Sequence, residues 1–81
     1  MDNNKFTVIL DGNKHTAYVV ANFNILDDNY CVYAVDMGKE KKDVFCDKVV
    51  NGTLVNIKDE NEKRLTDKIV NVLVNSVKLN N

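Results

Sequence analysis

Proline and tryptophan are absent from this chain, glycine occurs three times, cysteine twice, and histidine, serine and arginine once each. These shortages exclude several kinds of chemistry. One His and two widely spaced Cys give no CxxC or HxxxH pair, whereas a structural zinc site draws on four ligands. Ser76 lies in a helix-patterned segment, far along the chain from His15 beside a turn, and a nucleophilic triad needs its members within hydrogen-bond reach. No glycine-rich phosphate loop is present. The run Asp59 to Arg64 begins like a calcium loop, then places Lys63 and Arg64 where ligands belong, so it reads as a helix cap. Asn51-Gly52-Thr53 matches a glycosylation sequon but reads as a turn. No catalytic, metal-binding or cofactor-binding residue is assigned, and no cofactor is expected.

Charge of either sign is also missing in net terms. Eleven basic and twelve acidic residues leave −1, so no global field draws in nucleic acid or an anionic membrane. No run approaches the ~20 apolar residues of a membrane-spanning helix. The N-terminal MDNNKFTVIL lacks the pattern of a signal peptide, and this sets the expectation of a cytoplasmic protein. In that compartment Cys31 and Cys46 are expected to be buried, inert thiols, although their strands could be neighbours and so able to form a disulfide in air. Thirteen Asn and ten Lys against one Arg suggest an AT-rich coding bias and a bacterial source.

What the chain does have is the composition of one small globular domain. Its 81 residues are 44% hydrophobic and 28% charged, too apolar for disorder and too short for two cores. The glycines give the layout, since Gly12, Gly38 and Gly52 each fall between apolar runs and read as turns. Lys5 to Leu10 is a first strand and His15 to Ala21 a second, joined at Asp11-Gly12-Asn13. Asn22 to Asn29 reads as an irregular connection whose Phe23 plugs the core edge. Tyr30 to Met37 is apolar on both faces, as expected of a strand covered on both sides or curled on itself. Gly38 to Lys42 reads as a solvated loop. Asp43 to Lys58 follows as the strongest local signal, a hairpin turning at Asn51-Gly52.

From Asp59 the period changes to that of a helix. Asp59 and Glu62 have capping-box spacing, with acidic charge at the positive end of the helix dipole. Leu65, Ile69, Val72, Leu73, Ser76 and Leu79 fall within an arc of about 120°, predicting the face that docks on the sheet. The β-branched run from Ile69 to Val77 leaves a sixth strand over 69–74 as the alternative. The fold predicted is α+β: one domain, 1–81, with a twisted antiparallel sheet of four or five strands over about 5–58 and one packed helix over about 59–79.

The order of landmarks resembles the YrzB-like family of small bacterial proteins, a domain of unknown function. The stretches that carry the resemblance are TVILDGNKHTAYVVANF, NYCVYAV and NGTLVNIKDENEK, together running from about Thr7 to Glu62. The near-neutral charge, with Lys39, Lys41, Lys42 and Lys48, departs from that family's acidic character, as does the Val-rich tail. The resemblance implies a small antiparallel-sheet protein without known enzymatic activity, and it supplies no site residues.

Three functions follow as expectations. The first is a non-enzymatic protein-interaction module, with self-association as one form of it. Val70, Val74 and Val77 fall outside the predicted docking arc, on a flank with Lys63 and Asp67, and are its expected interface. The second is nucleic-acid binding through Lys39, Lys41 and Lys42 with Tyr30 and Tyr33 near them in sequence. The third is a small enzyme with a reactive cysteine.

Overall fold

The computed structural model describes residues 4–79, and their side chains as far as Asn75. Five strands are followed by one helix: β1 (Lys5–Leu10), β2 (Asn13–Ile25), β3 (Asp28–Gly38), β4 (Lys41–Val50), β5 (Thr53–Val55) and α1 (Glu60–Leu79). The strands form one curled antiparallel sheet in sequence order. The predicted α+β fold is the observed one, and Ile69 to Leu79 is helix rather than a sixth strand.

Every strand connection is a two-residue turn, and this is where the sequence reading needs correction. The turn at Asp11-Gly12 and the turn at Asn51-Gly52 carry positive φ at both central residues, which gives the type I′ geometry that matches strand twist. Asn22 to Asn29 is not irregular. β2 runs on to Ile25, which pairs with Asp28, and the chain reverses at Leu26-Asp27. The Asp27-Asp28-Asn29 cluster drew the expected turn too far along, because the residue that takes positive φ is Leu26, at 55°. Gly38 to Lys42 is not a loop either. Lys39 and Glu40 alone make the turn, with φ of 55° and 64°, and Lys41 and Lys42 already belong to β4.

β3 is central and covered on both faces, as its apolar run predicts. Tyr30, Cys31, Val32, Tyr33 and Val35 are all buried. One face carries the main cluster, with Cys31, Tyr33 and Val35 of β3 meeting Ala17 of β2 and, around them, Phe6, Val8, Val49 and Leu54. Ala17 sits between β1 and β3 with nothing beyond Cβ. Phe6 and Tyr33 therefore close over it, ring centroids 5.4 Å apart at 65°. Register shifts at Val19/Ala21 and Asp36/Gly38 mark bulges, which bend strands and deepen the curl.

The helix lies against the other face. Asp59 caps it, its Oδ1 accepting the N–H groups of Asn61 at 2.8 Å and Glu62 at 3.3 Å. Glu62 does not complete the capping box. Its carboxylate turns to the sheet, where it accepts the Tyr30 hydroxyl and pairs with Lys48 Nζ at 2.8 Å. This anchor sets the helix rotation. One turn on, Thr66 is the innermost residue, 1% exposed, its hydroxyl donating to the Lys63 carbonyl at 3.0 Å. The docking face runs through Glu62, Thr66, Ile69, Val70 and Leu73, turned roughly 80° from the predicted arc. Leu65 and Val72, expected inside, are 46% and 65% exposed. Ser76 and Leu79 fall beyond the described side chains.

The anchor has a consequence in acid. Lys48 first, and then the Tyr30 hydroxyl, hold Glu62 below the ordinary carboxylate value of 4.5. A lowered folded-state value stabilises above the unfolded one and is lost as pH falls through the folded one. Wild-type stability should therefore drop below about pH 4.5, and Glu62→Gln should flatten that limb. Urea midpoints for both proteins between neutral and acid pH measure this directly. Parallel profiles would show that Glu62 is not the titrating anchor.

Candidate interaction surface

The element that distinguishes this surface is the edge of β4. In an antiparallel ladder, successive residues point their N–H and C=O groups alternately to the two neighbouring strands. The pair flanking a two-residue turn is hydrogen-bonded, which fixes the parity. Val50 pairs with Thr53 across Asn51-Gly52, so Val50 and Lys48 face β5, and Val44 and Cys46 must face the same way. Phe45 and Asp47 face β3, opposite Tyr33 and Cys31. The β2–β3 turn gives the same parity independently, since Ile25 pairs with Asp28 and leaves Cys31 and Tyr33 directed at β4.

β5, however, ends at Val55, opposite Lys48. The hairpin expected to extend to Lys58 stops three residues early, because Asn56 to Lys58 leave the ladder to reach the Asp59 cap. Lys42, Val44 and Cys46 are thus left with outward backbone donors and acceptors and, among the described residues, no strand beyond them. A groove of about 470 Å³ lies along this segment, walled by Val44 to Asp47, Asn56 to Lys58, and the helix residues Lys63, Thr66, Asp67 and Val70. Strand geometry on one wall, and on the other a helix flank that sets Val70 among Lys63, Thr66 and Asp67, suit an extended peptide with both apolar and polar side chains.

The residues singled out in the sequence fall around this groove unevenly. Val70 and Val74 are half-buried, correcting the view that they lie clear of the docking face. They occupy the helix flank next to the open edge, with Val70 in the groove wall. Val77 lies outside the described side chains. Lys39, Lys41 and Lys42 are exposed, but Lys41 and Lys42 alternate across β4, and Lys42 Nζ sits 5.4 Å from the Tyr18 ring centroid, with Lys5 Nζ at 5.6 Å. Tyr30 and Tyr33 are buried on opposite faces, so neither ring is free to stack a base. His15 Nδ1–H donates to the Asp36 carbonyl at 3.2 Å.

The two cysteines are neighbours in the sheet yet face apart. Cys46 pairs with Val32 and Cys31 with Asp47, which puts the thiols on opposite faces and rules out the disulfide that adjacent strands had suggested. Burial, and then Asp47, raise the Cys31 thiol, and the same causes push Cys46 up to about 11. Both are protonated at neutral pH and slow as nucleophiles. Iodoacetamide at pH 7.5 should label neither within the time that labels the urea-unfolded chain. Rapid, stoichiometric labelling of the native protein would overturn this.

Sequence reasoning missed Val44, Cys46 and Thr66 as parts of a surface. Strand parity counted back from Asn51-Gly52 points to the first two, once the length of β5 is known. Thr66 carries no signal, since its position depends on where Glu62 is held. Among the described residues no group of three His, Cys, Asp or Glu is placed to hold a metal, and no helix is long and apolar enough to cross a membrane. Comparison with protein-family models, curated proteins and solved structures finds no match to this chain.

Proposed function

We propose that this chain is a non-enzymatic interaction module that binds a protein partner by strand addition to the open edge of β4. The observation that carries the reading is the early end of β5, which leaves three outward-facing residues of β4 without a strand partner among the described residues, beside a groove of about 470 Å³. Native sheets commonly shield such an edge, so one left open beside a groove suits a partner. Two protonated thiols and a hydrogen-bonded His15 support a binding role over catalysis. Free cysteines accord with a reducing bacterial cytoplasm, and the YrzB-like resemblance with a small antiparallel-sheet protein without known enzymatic activity.

Proline substitution tests the edge one backbone group at a time. Val44→Pro removes an N–H that points away from β3, and proline is tolerated on a strand edge with that orientation. Its stability should stay within about 1 kcal/mol of wild type. Phe45→Pro removes a ladder bond to Tyr33 and should cost about 3 kcal/mol or more. A protein captured by the wild-type chain, purified and titrated back, should bind wild type and fail to bind Val44→Pro. Equal destabilisation by the two prolines, or undiminished binding by Val44→Pro, would overturn the reading.

A further inference from the structure

We infer that the strand added to this edge is β4 of a second copy, in a two-fold dimer with its axis at Val44. The inference rests on the open edge described above and names its occupant. A dyad perpendicular to the sheet sets two copies of the same edge antiparallel, each residue facing the one at the mirrored position about the centre. Only registers that match outward-facing residues with outward-facing residues can form ladder bonds. Centring on Val44 does so, with Val44 against Val44 and Lys42 against Cys46 of the copy.

Charge then selects among the permitted registers. With the centre at Val44, Lys41 lies opposite Asp47 of the copy, and symmetry makes the contact twice. Both side chains stand on the same face of the sheet, as their even spacing of six residues in β4 requires. Lys41 is exposed and has no ion-pair partner among the described residues. Asp47 gives one oxygen to the Tyr33 hydroxyl at 2.7 Å, which leaves the other available. Moving the centre one residue toward Asp43 sets Asp43 against its own copy. Moving it one residue toward Phe45 sets Asp43 against Asp47 twice. Both alternatives place like charges directly opposite, which destabilises strand pairs.

The room available fits the same length. The unpaired segment runs from the Lys39-Glu40 turn to the point where Val55 begins to cover Lys48, and seven residues, Lys41 to Asp47, pair with their own seven mirrored counterparts. The helix agrees with this arrangement. Its flank beside the open edge carries Val70, with Val74 one turn on, and the dyad turns that flank toward the same flank of the copy. Val44 and Phe45, 38% and 36% exposed in the single chain, would be covered together with these valines.

Light scattering on a sizing column, run with purified protein over a dilution series, tests the dimer. Wild type should elute at twice the chain mass at high concentration and dissociate on dilution, more readily in high salt. Val44→Pro should be monomeric. Lys41→Glu, an exposed change that spares the fold, should raise the dissociation constant about tenfold or more, because it creates two like-charge contacts. Lys14→Glu, the same charge change on the far hairpin, should leave the dimer intact. A wild type that stays monomeric at high concentration overturns the dimer, as does a dimer indifferent to both Val44→Pro and Lys41→Glu. A monomeric wild type that nevertheless loses a different captured protein on Val44→Pro would refute the second copy and keep the interaction module. Loss of neither would refute both.

Discussion

Tyr33→Ala should cost about 3–5 kcal/mol, the usual penalty for removing a buried aromatic ring. A domain of this length has roughly 4–12 kcal/mol in all, so the variant will be largely unfolded or close to it. The size of the effect follows from how many elements meet at one side chain. Phe6 of β1 meets the ring edge-on at 5.4 Å, and Phe45 of β4 stacks on it at 5.8 Å. The ring thus joins three strands across the curled face, while its hydroxyl donates to Asp47 Oδ2 at 2.7 Å. Burial, and then the bond to Asp47, push the Tyr33 hydroxyl well above its ordinary value, so it stays a donor throughout the usable pH range. Tyr33→Phe isolates the hydroxyl: the packing remains, one hydrogen bond is lost, and the cost should be about 1 kcal/mol. Urea unfolding of the three proteins gives both numbers. A Tyr33→Ala cost under about 1.5 kcal/mol would show that the curled face is not the core.

How far the sequence leads depends on what kind of force decides each feature. The strands of the first and last hairpins were legible because Asp11-Gly12 and Asn51-Gly52 are local turn chemistry, independent of the rest of the fold. Burial on both faces of β3 was legible because its run from Tyr30 to Val35 leaves no polar face to solvate. The Leu26-Asp27 and Lys39-Glu40 turns were not, because Leu26, Lys39 and Glu40 take positive φ that nothing in their chemistry favours. Strand pairing on either side imposes it. Helix rotation was illegible for a related reason. Counting aliphatics puts Leu65 inside, but the bonds from Glu62 to Tyr30 and Lys48 are long-range and swing Thr66 to the centre instead.

The candidate surface shows the same division. Val70, Val74 and their neighbours Lys63 and Asp67 could be seen as a flank from helical spacing alone. What lies beside that flank could not, because the open edge exists only where β5 stops, and the helix cap decides that. The valines were assigned to a surface for lack of a place in the core. In the structure they are half-buried, and what remains uncovered is backbone as much as side chain. The two observations meet at Val44 and Val70, which wall the same groove.

Gly52→Val should cost about 1–3 kcal/mol, and the reason is confined to the backbone. Gly52 has φ of 78°, and a Cβ built there meets no atom within 4 Å. Steric crowding by neighbours therefore contributes nothing. The penalty comes from the residue's own branched side chain against its own peptide groups in a region that L-residues avoid. Gly52→Asn separates this from any general effect of losing glycine, since Asn tolerates the left-handed region and should cost much less. The damage should also be local at first. β5 is only three residues long and is held by the turn and by its pairs with Lys48, Val49 and Val50. Amides facing that pairing, at Thr53 and Val55, should lose protection from exchange before those of β3 do. Melting temperatures for Gly52→Val and Gly52→Asn, with amide exchange by NMR, check both parts. A Gly52→Val protein that melts with wild type would remove the type I′ turn from the fold, and leave the parity of Val44 and Cys46 resting on the β2–β3 turn alone.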